Sequence, residues 1–439
     1  MKFLANPGGT LSGCFRVPGD KSISHRSIML GSIAEGDTHV SGFLEGDDAL
    51  ATLNAFKAMG VSIEGPIDGK VIIHGVGLHG LKAPEGELYV GNSGTSMRLL
   101  AGLMAGQSFT VTMTGDESLS KRPMGRVADP LREMNVAVAT EENGRPPLVI
   151  KGNGQVKAMH YDLPMASAQV KSCVLLAGLY ADGETSTTEP APTRDHTERM
   201  LSGFGYQVKR SGATASLRGG GKLTGMHIDV PADISSAAFF MVAASIAKEA
   251  DITLEHVGMN PTRVGVINIL QAMGARISVI NEREVGGEPV ADIRVQSAKL
   301  KGIEIPQEQV PLAIDEFPVL FVAAACATGE TVLREAEELR VKESDRIQVM
   351  ADGLVSLGID ARPTDDGIII QGKGDEEEVF CGGSVESHHD HRIAMSFSVA
   401  ALRASETIEI LGTDNVATSF PNFVALAQQA GMNLEQVND

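Results

Sequence analysis

The stretch NAFKAMGVSI, Asn54–Ile63, closes an apolar helical pattern with Met-Gly and resumes at once as a strand. The same signature returns as LREMNVAV at Asn135, LSGFGYQV at Gly205, LQAMGARI at Gly274, LVSLGIDA at Gly358 and AQQAGMNL at Gly431. Gly or Asn just past a helix is the expected left-handed cap. Six such caps, about 69–84 residues apart, predict six copies of one supersecondary unit.

A second series lies earlier in each copy. Its members are PGDKSISHRSIMLGSIA, GNSGTSMRLLAGLMAG, PMASAQVKSCVLLAGLYA, PADISSAAFFMVAASIA, AIDEFPVLFVAAACATG and HDHRIAMSFSVAALRAS. Each opens on small or polar residues and continues as a helix that is apolar almost all round, so it belongs in an interior. Short β-rich runs such as KVIIHGVG, PPLVIKG and GIIIQGKG stand between them. A copy therefore reads strand, buried helix, strand, second helix, hairpin. The 439 residues predict an α/β protein of two domains, each with three copies. The inner helices should be bundled under the sheets with their N-termini converging.

Composition narrows the function. The chain is 43% hydrophobic and 21% charged, with 4% aromatics, no Trp and a net charge of −19. That balance excludes nucleic acid and an anionic membrane surface as partners, since both need a basic face. Small anionic ligands stay possible through local clusters. Cys14, Cys173, Cys326 and Cys381 have no metal-ligand or disulfide spacing, and three lie in or beside apolar runs where a thiol is expected to be buried. There is no secretory pattern at the start and no apolar run of the ~20 residues that span a bilayer, so a cytoplasmic protein is expected.

The chemistry gathers at the helix starts. VPGDKSISHRS, Val17–Ser27, sets Lys21, Ser22 and Arg26 at a strand-to-helix junction. It is not a P-loop, because Asp20 separates Gly19 from Lys21. A helix start still offers unpaired N–H groups to an anion. Corresponding positions carry Gly94, Arg98 and SKRPMGR with Lys121, Arg122 and Arg126; Ser167, Gln169 and Lys171, then Arg194 and His196; Asp233 and Ser235; Asp315 and Glu316, then RVKESDR with Arg340, Lys342, Glu343 and Arg346; and Asp390, His391 and Arg392. Roughly ten cations facing a common centre would suit ligands with several negative charges. Asp315 and Glu343 among them are candidates for proton transfer. Each motif also has a plainer reading: RVKESDR as a solvated helix face, ASAQ as a helix cap. HHDHR tempts a metal reading, but its three histidines are sequence neighbours that cannot all point one way on a helix.

PGDKSISHR, GNSGTSMR, KRPMGR, RVKESDR and DHR together closely resemble the 5-enolpyruvylshikimate-3-phosphate synthases, over essentially the whole chain. PMASAQVKS, TRDHTER and ATSFPNF resemble the bacterial glyphosate-tolerant-type subgroup. The resemblance implies the enolpyruvate transferase fold, a two-domain inside-out α/β barrel of six βαβαββ repeats. It places one domain at 1–20 plus 229–439 and the other at 21–228, with the active site in the cleft between them; counting repeats alone would cut the chain near its middle. It implies transfer of the enolpyruvyl group of phosphoenolpyruvate to the 5-hydroxyl of shikimate 3-phosphate, through a tetrahedral intermediate, with no cofactor or metal.

By motif match the resemblance assigns Lys21, Ser22, Arg26, Ser167, Ala168, Gln169, Arg194, Asp315 and Lys342 to shikimate 3-phosphate. It assigns Lys21, Gly94, Arg122, Gln169, Arg346 and Arg392 to phosphoenolpyruvate. Asp315 would be the base at the 5-hydroxyl, with Glu343 and Lys21 handling the methylene proton. Thr418, Glu338 and Ala168 stand where many members have Lys, Asn and Ser. Gly94 stands where tolerant members carry Ala, so binding of the inhibitor glyphosate is expected. A monomer is expected. Two rivals remain: an enolpyruvyl transferase acting on a UDP-amino sugar, which typically uses a loop Cys, and a non-catalytic binder of phosphorylated metabolites.

Overall fold

The computed structural model describes residues 1–374 and 376–438. The chain folds into two compact units. The first comprises Met1–Pro18, Pro231–Glu284 and Pro289–Asp439; the second comprises Gly19–Val230 and the hairpin tip Val285–Glu288.

The six caps have their expected backbone. φ is 86° at Gly60, 66° at Asn135, 82° at Gly205, 95° at Gly274, 84° at Gly358 and 109° at Gly431. At each a helix stops and the chain turns into a strand. The inner helices are Lys21–Ser32, Gly94–Ala105 and Ala168–Gly178 in the second unit. In the first unit they are Ile234–Ile246, Phe317–Ala325 and His391–Ala400. Every residue of Ile234–Ile246 is buried, as an all-round apolar helix requires.

Each unit carries three sheets over its inner helices. In all six copies an extended segment precedes the inner helix and a strand follows it; around Phe317–Ala325 the two meet through the parallel bridges Lys301–Thr328 and Glu304–Val332. Leu88–Tyr89 and Thr110–Thr114 flank the helix at Gly94 and pair parallel; His160–Asp162 and Glu184–Thr188 do the same around Ala168–Gly178. Gly383–Glu386 and Ile408–Leu411 repeat this around the last inner helix. Antiparallel hairpins complete the sheets.

The remaining pairs are exchanged. Leu11–Phe15 precedes the first inner helix, yet pairs parallel with Ala250–Gly258, which follows the fourth. His227–Asp229 precedes the fourth inner helix, yet pairs parallel with Glu35–Ser41, which follows the first. This exchange makes the first unit discontinuous in sequence.

Interior fit relies on small residues where helices touch. A Cβ on Gly102 would lie 2.3 Å from the Cys173 carbonyl oxygen of the neighbouring inner helix. Backbone cannot yield as a side chain does, so Gly102→Ala should cost ~1–3 kcal/mol of stability in urea unfolding. Cys173 and Cys326 are buried, and burial pushes both thiols up. Cys14, expected in an apolar setting, is exposed: only Leu11 and Phe15 of its strand face inward. Among the described residues no helix is long and apolar enough to cross a membrane.

Candidate active site

In the second unit, side chains at the three inner-helix starts bond one another. Asp20 caps the first helix, accepting from the Ile23 N–H at 2.8 Å. Lys21, its first residue, is ion-paired with Asp48, which lies in the first turn of the helix Asp47–Ala58. Arg26, 4% exposed, donates from Nε to Thr197 (2.7 Å), from Nη1 to the Ser22 carbonyl (3.0 Å) and from Nη2 to Ser172 (3.0 Å). Three of the five guanidinium N–H groups are thereby used, and one remains on each Nη. That edge is the fork that grips a carboxylate. Burial is the main influence on this guanidinium and pulls its pKa down to about 10, with Glu198 opposing. It stays charged at neutral pH.

Ser93 caps the second inner helix by accepting from the Ser96 N–H (3.0 Å), and Ser167 caps the third by accepting from the Val170 N–H (3.4 Å). Ala168 is the first residue of the third helix. Gln169 is held between the two helices: its Oε1 accepts from Arg98 at 2.5 Å and its Nε2 donates to Thr95 at 3.0 Å. Arg122 donates to Asn92 (2.6 Å) and Ser118 (3.2 Å), which brings it beside Gly94. A Cβ on Gly94 would lie 3.2 Å from Arg98 Nη1 and 3.4 Å from Arg122 Nη1. Arg194 is half-buried and adds positive potential at Arg26.

The first unit holds a different cluster, built around carboxylates. Arg346, 1% exposed, donates to Asp390 from Nε (2.8 Å), to Glu343 from Nη2 (2.6 Å) and to Asp315 from Nη1 (3.4 Å). Burial alone would lower its pKa, but Asp390, Glu343 and Asp315 hold it above the ordinary value. Lys342 lies 3.6 Å from Asp315 and 3.4 Å from Glu338. Arg392 donates to the Asp315 carbonyl at 3.0 Å. Behind Asp315, buried Glu316 accepts from Ser235 and sits 3.7 Å from Arg263. Asp315 and Glu343 thus share one guanidinium, each placed within the reach of cations. Carboxylates so placed can accept and return a proton beside a bound anion.

Some expected cations do other work. Lys171 is 2% exposed between Glu189 (3.1 Å) and Glu198 (2.9 Å), a buried triad that holds the chain around Thr193. Lys121 is an exposed partner of Glu117 one helical turn away. Arg340 donates to Asp345 and to the Thr364 and Asp365 carbonyls. His196 pairs with Glu288 at 2.9 Å. The picture of roughly ten cations around one centre is therefore corrected: carboxylates already neutralise several of them. Sequence reasoning missed Asp48, Ser172, Thr197 and Arg263. The Asp pair opening a helix in EGDDAL was the only local signal for Asp48.

Two units of three sheets over inner helices, with polar clusters at the helix starts, define the fold of the enolpyruvyl transferases. The enolpyruvyl transferase NikO of Streptomyces tendae shares it at a TM-score of 0.79 and 16% identity, over 100% of this chain and 99% of that one. The chain belongs to the EPSP synthase (3-phosphoshikimate 1-carboxyvinyltransferase) family, whose model matches residues 5–426. The 3-phosphoshikimate 1-carboxyvinyltransferase of Methylococcus capsulatus is 64% identical over 433 residues, covering 99% of this chain and 98% of that protein. That of Alkalilimnicola ehrlichii is 65% identical over 434 residues, covering 99% and 96%. EPSP synthase of Acinetobacter baumannii superposes with a TM-score of 0.89 at 64% identity, over 99% of each chain.

Proposed function

We infer that this chain transfers the enolpyruvyl group of phosphoenolpyruvate to the 5-hydroxyl of shikimate 3-phosphate and releases phosphate. Sequence identity above 60% along nearly the whole chain to enzymes named for that reaction carries the reading. The substrates bring two carboxylates and two phosphates, which suits the cations at the helix starts.

In our assignment, the Arg26 fork and Ser22 take the shikimate carboxylate. Ser167, Ala168 and Arg194 take its phosphate, and Lys342 with Asp315 take its hydroxyls. Lys21, Gly94, Arg122 and Arg392 hold phosphoenolpyruvate. Gln169 serves both substrates. Arg346, with three carboxylates on it, contributes to phosphoenolpyruvate binding mainly by fixing Asp315 and Glu343.

The addition step forms a bond from the 5-oxygen to C2 of phosphoenolpyruvate. Asp315 accepts the hydroxyl proton, while Glu343 with Lys21 delivers a proton to C3. Elimination returns a C3 proton to the protein and breaks the C2–O bond to phosphate. Fixed cations stabilise the negative charge that moves through both steps. Mass spectrometry of the incubated substrates should show shikimate 3-phosphate gaining one carboxyvinyl group. Unchanged shikimate 3-phosphate despite tight binding of both ligands would instead indicate the phosphometabolite binder.

We also place the chain with the glyphosate-tolerant-type subgroup by PMASAQVKS, TRDHTER and ATSFPNF, but as a member that binds glyphosate, because Gly94 leaves room beside Arg98 and Arg122. A methyl there must push one guanidinium by a few tenths of an ångström. Gly94→Ala should raise the glyphosate inhibition constant roughly tenfold or more, about 1.4 kcal/mol. An unchanged constant would contradict the reading. We further propose a monomer that works in the cytoplasm, where four unpaired thiols stay reduced.

A further inference from the structure

His25 lies on the first inner helix, fully buried, between Lys21 and Arg26 in sequence. Its Nδ1 is 2.7 Å from Thr52 Oγ1. Thr52 Oγ1 is 2.6 Å from Ser96 Oγ, and Ser96 Oγ donates to Ser93 Oγ at 2.7 Å. The chain thus runs through four side chains on three helices and ends on the residue that caps the helix starting at Gly94. Its middle member, Thr52, stands one turn beyond Asp48, the carboxylate paired with Lys21.

The direction of the chain follows from the imidazole. Burial, then Lys21 and Arg26, hold the His25 pKa well below its ordinary value, so the ring is neutral and carries one N–H. Its Nε2 is buried with no hydrogen-bond partner among the described residues. A proton there would be an orphaned donor, which costs more than an idle lone pair. The proton therefore sits on Nδ1 and is given to Thr52. Thr52 then gives its own to Ser96, because its alternative acceptor, the Asp48 carbonyl, is 3.4 Å away. Ser96 gives its own to Ser93, which also accepts from the Ser96 N–H. The Thr52 and Ser96 hydroxyl protons are thus committed in one sense.

We propose that His25 is a positioning residue for phosphoenolpyruvate: held as the Nδ1–H tautomer, it orients the Thr52–Ser96–Ser93 hydroxyls and so fixes the helix start at Gly94 and the placement of Asp48 on Lys21. The inference rests on the reading of Lys21 and Gly94 as phosphoenolpyruvate groups. It makes no use of His25 touching substrate.

Two measurements test it. In the native full-length protein labelled with 15N-histidine, the His25 signal is identified by its loss in His25→Asn. It should show a protonated Nδ1 and an unprotonated Nε2, without titrating from about pH 8 to about pH 5. The charged groups nearest it are Lys21 and Arg26 on its own helix and Asp48, paired with Lys21, on the neighbouring one. An Nε2–H tautomer, or titration within that range, would overturn the proposal whether or not His25→Phe folds.

In steady-state kinetics, His25→Phe removes the donor at similar size and should raise KM for phosphoenolpyruvate roughly tenfold, the worth of about one buried hydrogen bond. KM for shikimate 3-phosphate should stay within about twofold. His25→Asn restores a side-chain N–H near the Nδ1 position and should recover most of the loss. Equal rises in both KM values, or no recovery in His25→Asn, would mean a merely structural histidine. Failure of the native protein to turn over the two substrates would instead sink the substrate reading, leaving the tautomer measurement to judge the chain itself.

Discussion

Asp315→Ala should slow turnover by ~10²–10⁴-fold while leaving shikimate 3-phosphate bound as tightly as before or more tightly. The two halves of this expectation have separate causes. Asp315 lies 3.6 Å from Lys342, and its second cation is Arg346 at 3.4 Å. Removing it deletes the group assigned to accept the 5-hydroxyl proton, so chemistry suffers. It also leaves Lys342 and Arg346 with one fewer anion, so their attraction for a phosphorylated, carboxylated ligand increases. Isothermal titration and phosphate release on the same preparation separate the effects. Loss of binding together with turnover would mean that Asp315 shapes the site and does not do the proton transfer. Unchanged turnover would remove it from the mechanism.

Arg346→Met should lose ~3–5 kcal/mol of stability in urea unfolding, and most activity with it. Asp390 is fully buried and caps the last inner helix by accepting from the Arg392 N–H at 3.0 Å. Its charge is balanced by Arg346 Nε at 2.8 Å, with Ser344 donating at 3.0 Å. Burial tends to raise the Asp390 pKa, but Arg346 more than offsets this and the net shift is downward. A carboxyl depressed in the folded state contributes stability above its unfolded pKa of about 4, and loses it as pH falls through the folded value.

In Arg346→Met burial, the largest influence, and the nearby Glu343 both raise the Asp390 pKa against His391 and the Ser344 hydroxyl and Arg392 N–H donors, so the sign reverses: the variant should gain stability relative to native on acidification toward pH ~5. Arg346→Met with Asp390→Asn should recover part of the stability, because the uncompensated charge is gone, without recovering turnover. Parallel stability–pH curves for native and Arg346→Met would contradict the account.

The fold was legible wherever it depends on local chemistry. Gly60, Asn135 and their four counterparts are positive-φ caps, and that is a property of one residue. Helices without a polar face, such as Ile234–Ile246, announce their own burial. The exchange of Leu11–Phe15 and His227–Asp229 between sheets was invisible to periodicity, because partner choice in a parallel pair leaves no mark on either strand. Burial of Cys14 was misjudged for a related reason: on a short strand, alternation decides which face a residue takes, and apolar neighbours do not.

The polar residues at helix starts could be named from sequence, but their balance of charge could not. Lys171 looks like a ligand-binding cation until Glu189 and Glu198 arrive from other parts of the chain, and nothing near Arg346 in sequence announces its pairing with Asp390. Thr197 and Ser172 hold Arg26, and nothing in their own sequence context marks them for it. The His25 chain joins three helices through hydroxyls that, taken singly, are ordinary buried serines and threonines.

The most direct measurement is phosphate release by the purified protein, with shikimate 3-phosphate and phosphoenolpyruvate supplied singly and together in metal-free buffer. Release only when both are present is the predicted result. Release from phosphoenolpyruvate alone, or none with both although each binds, would contradict the assignment of enolpyruvyl transfer to this chain.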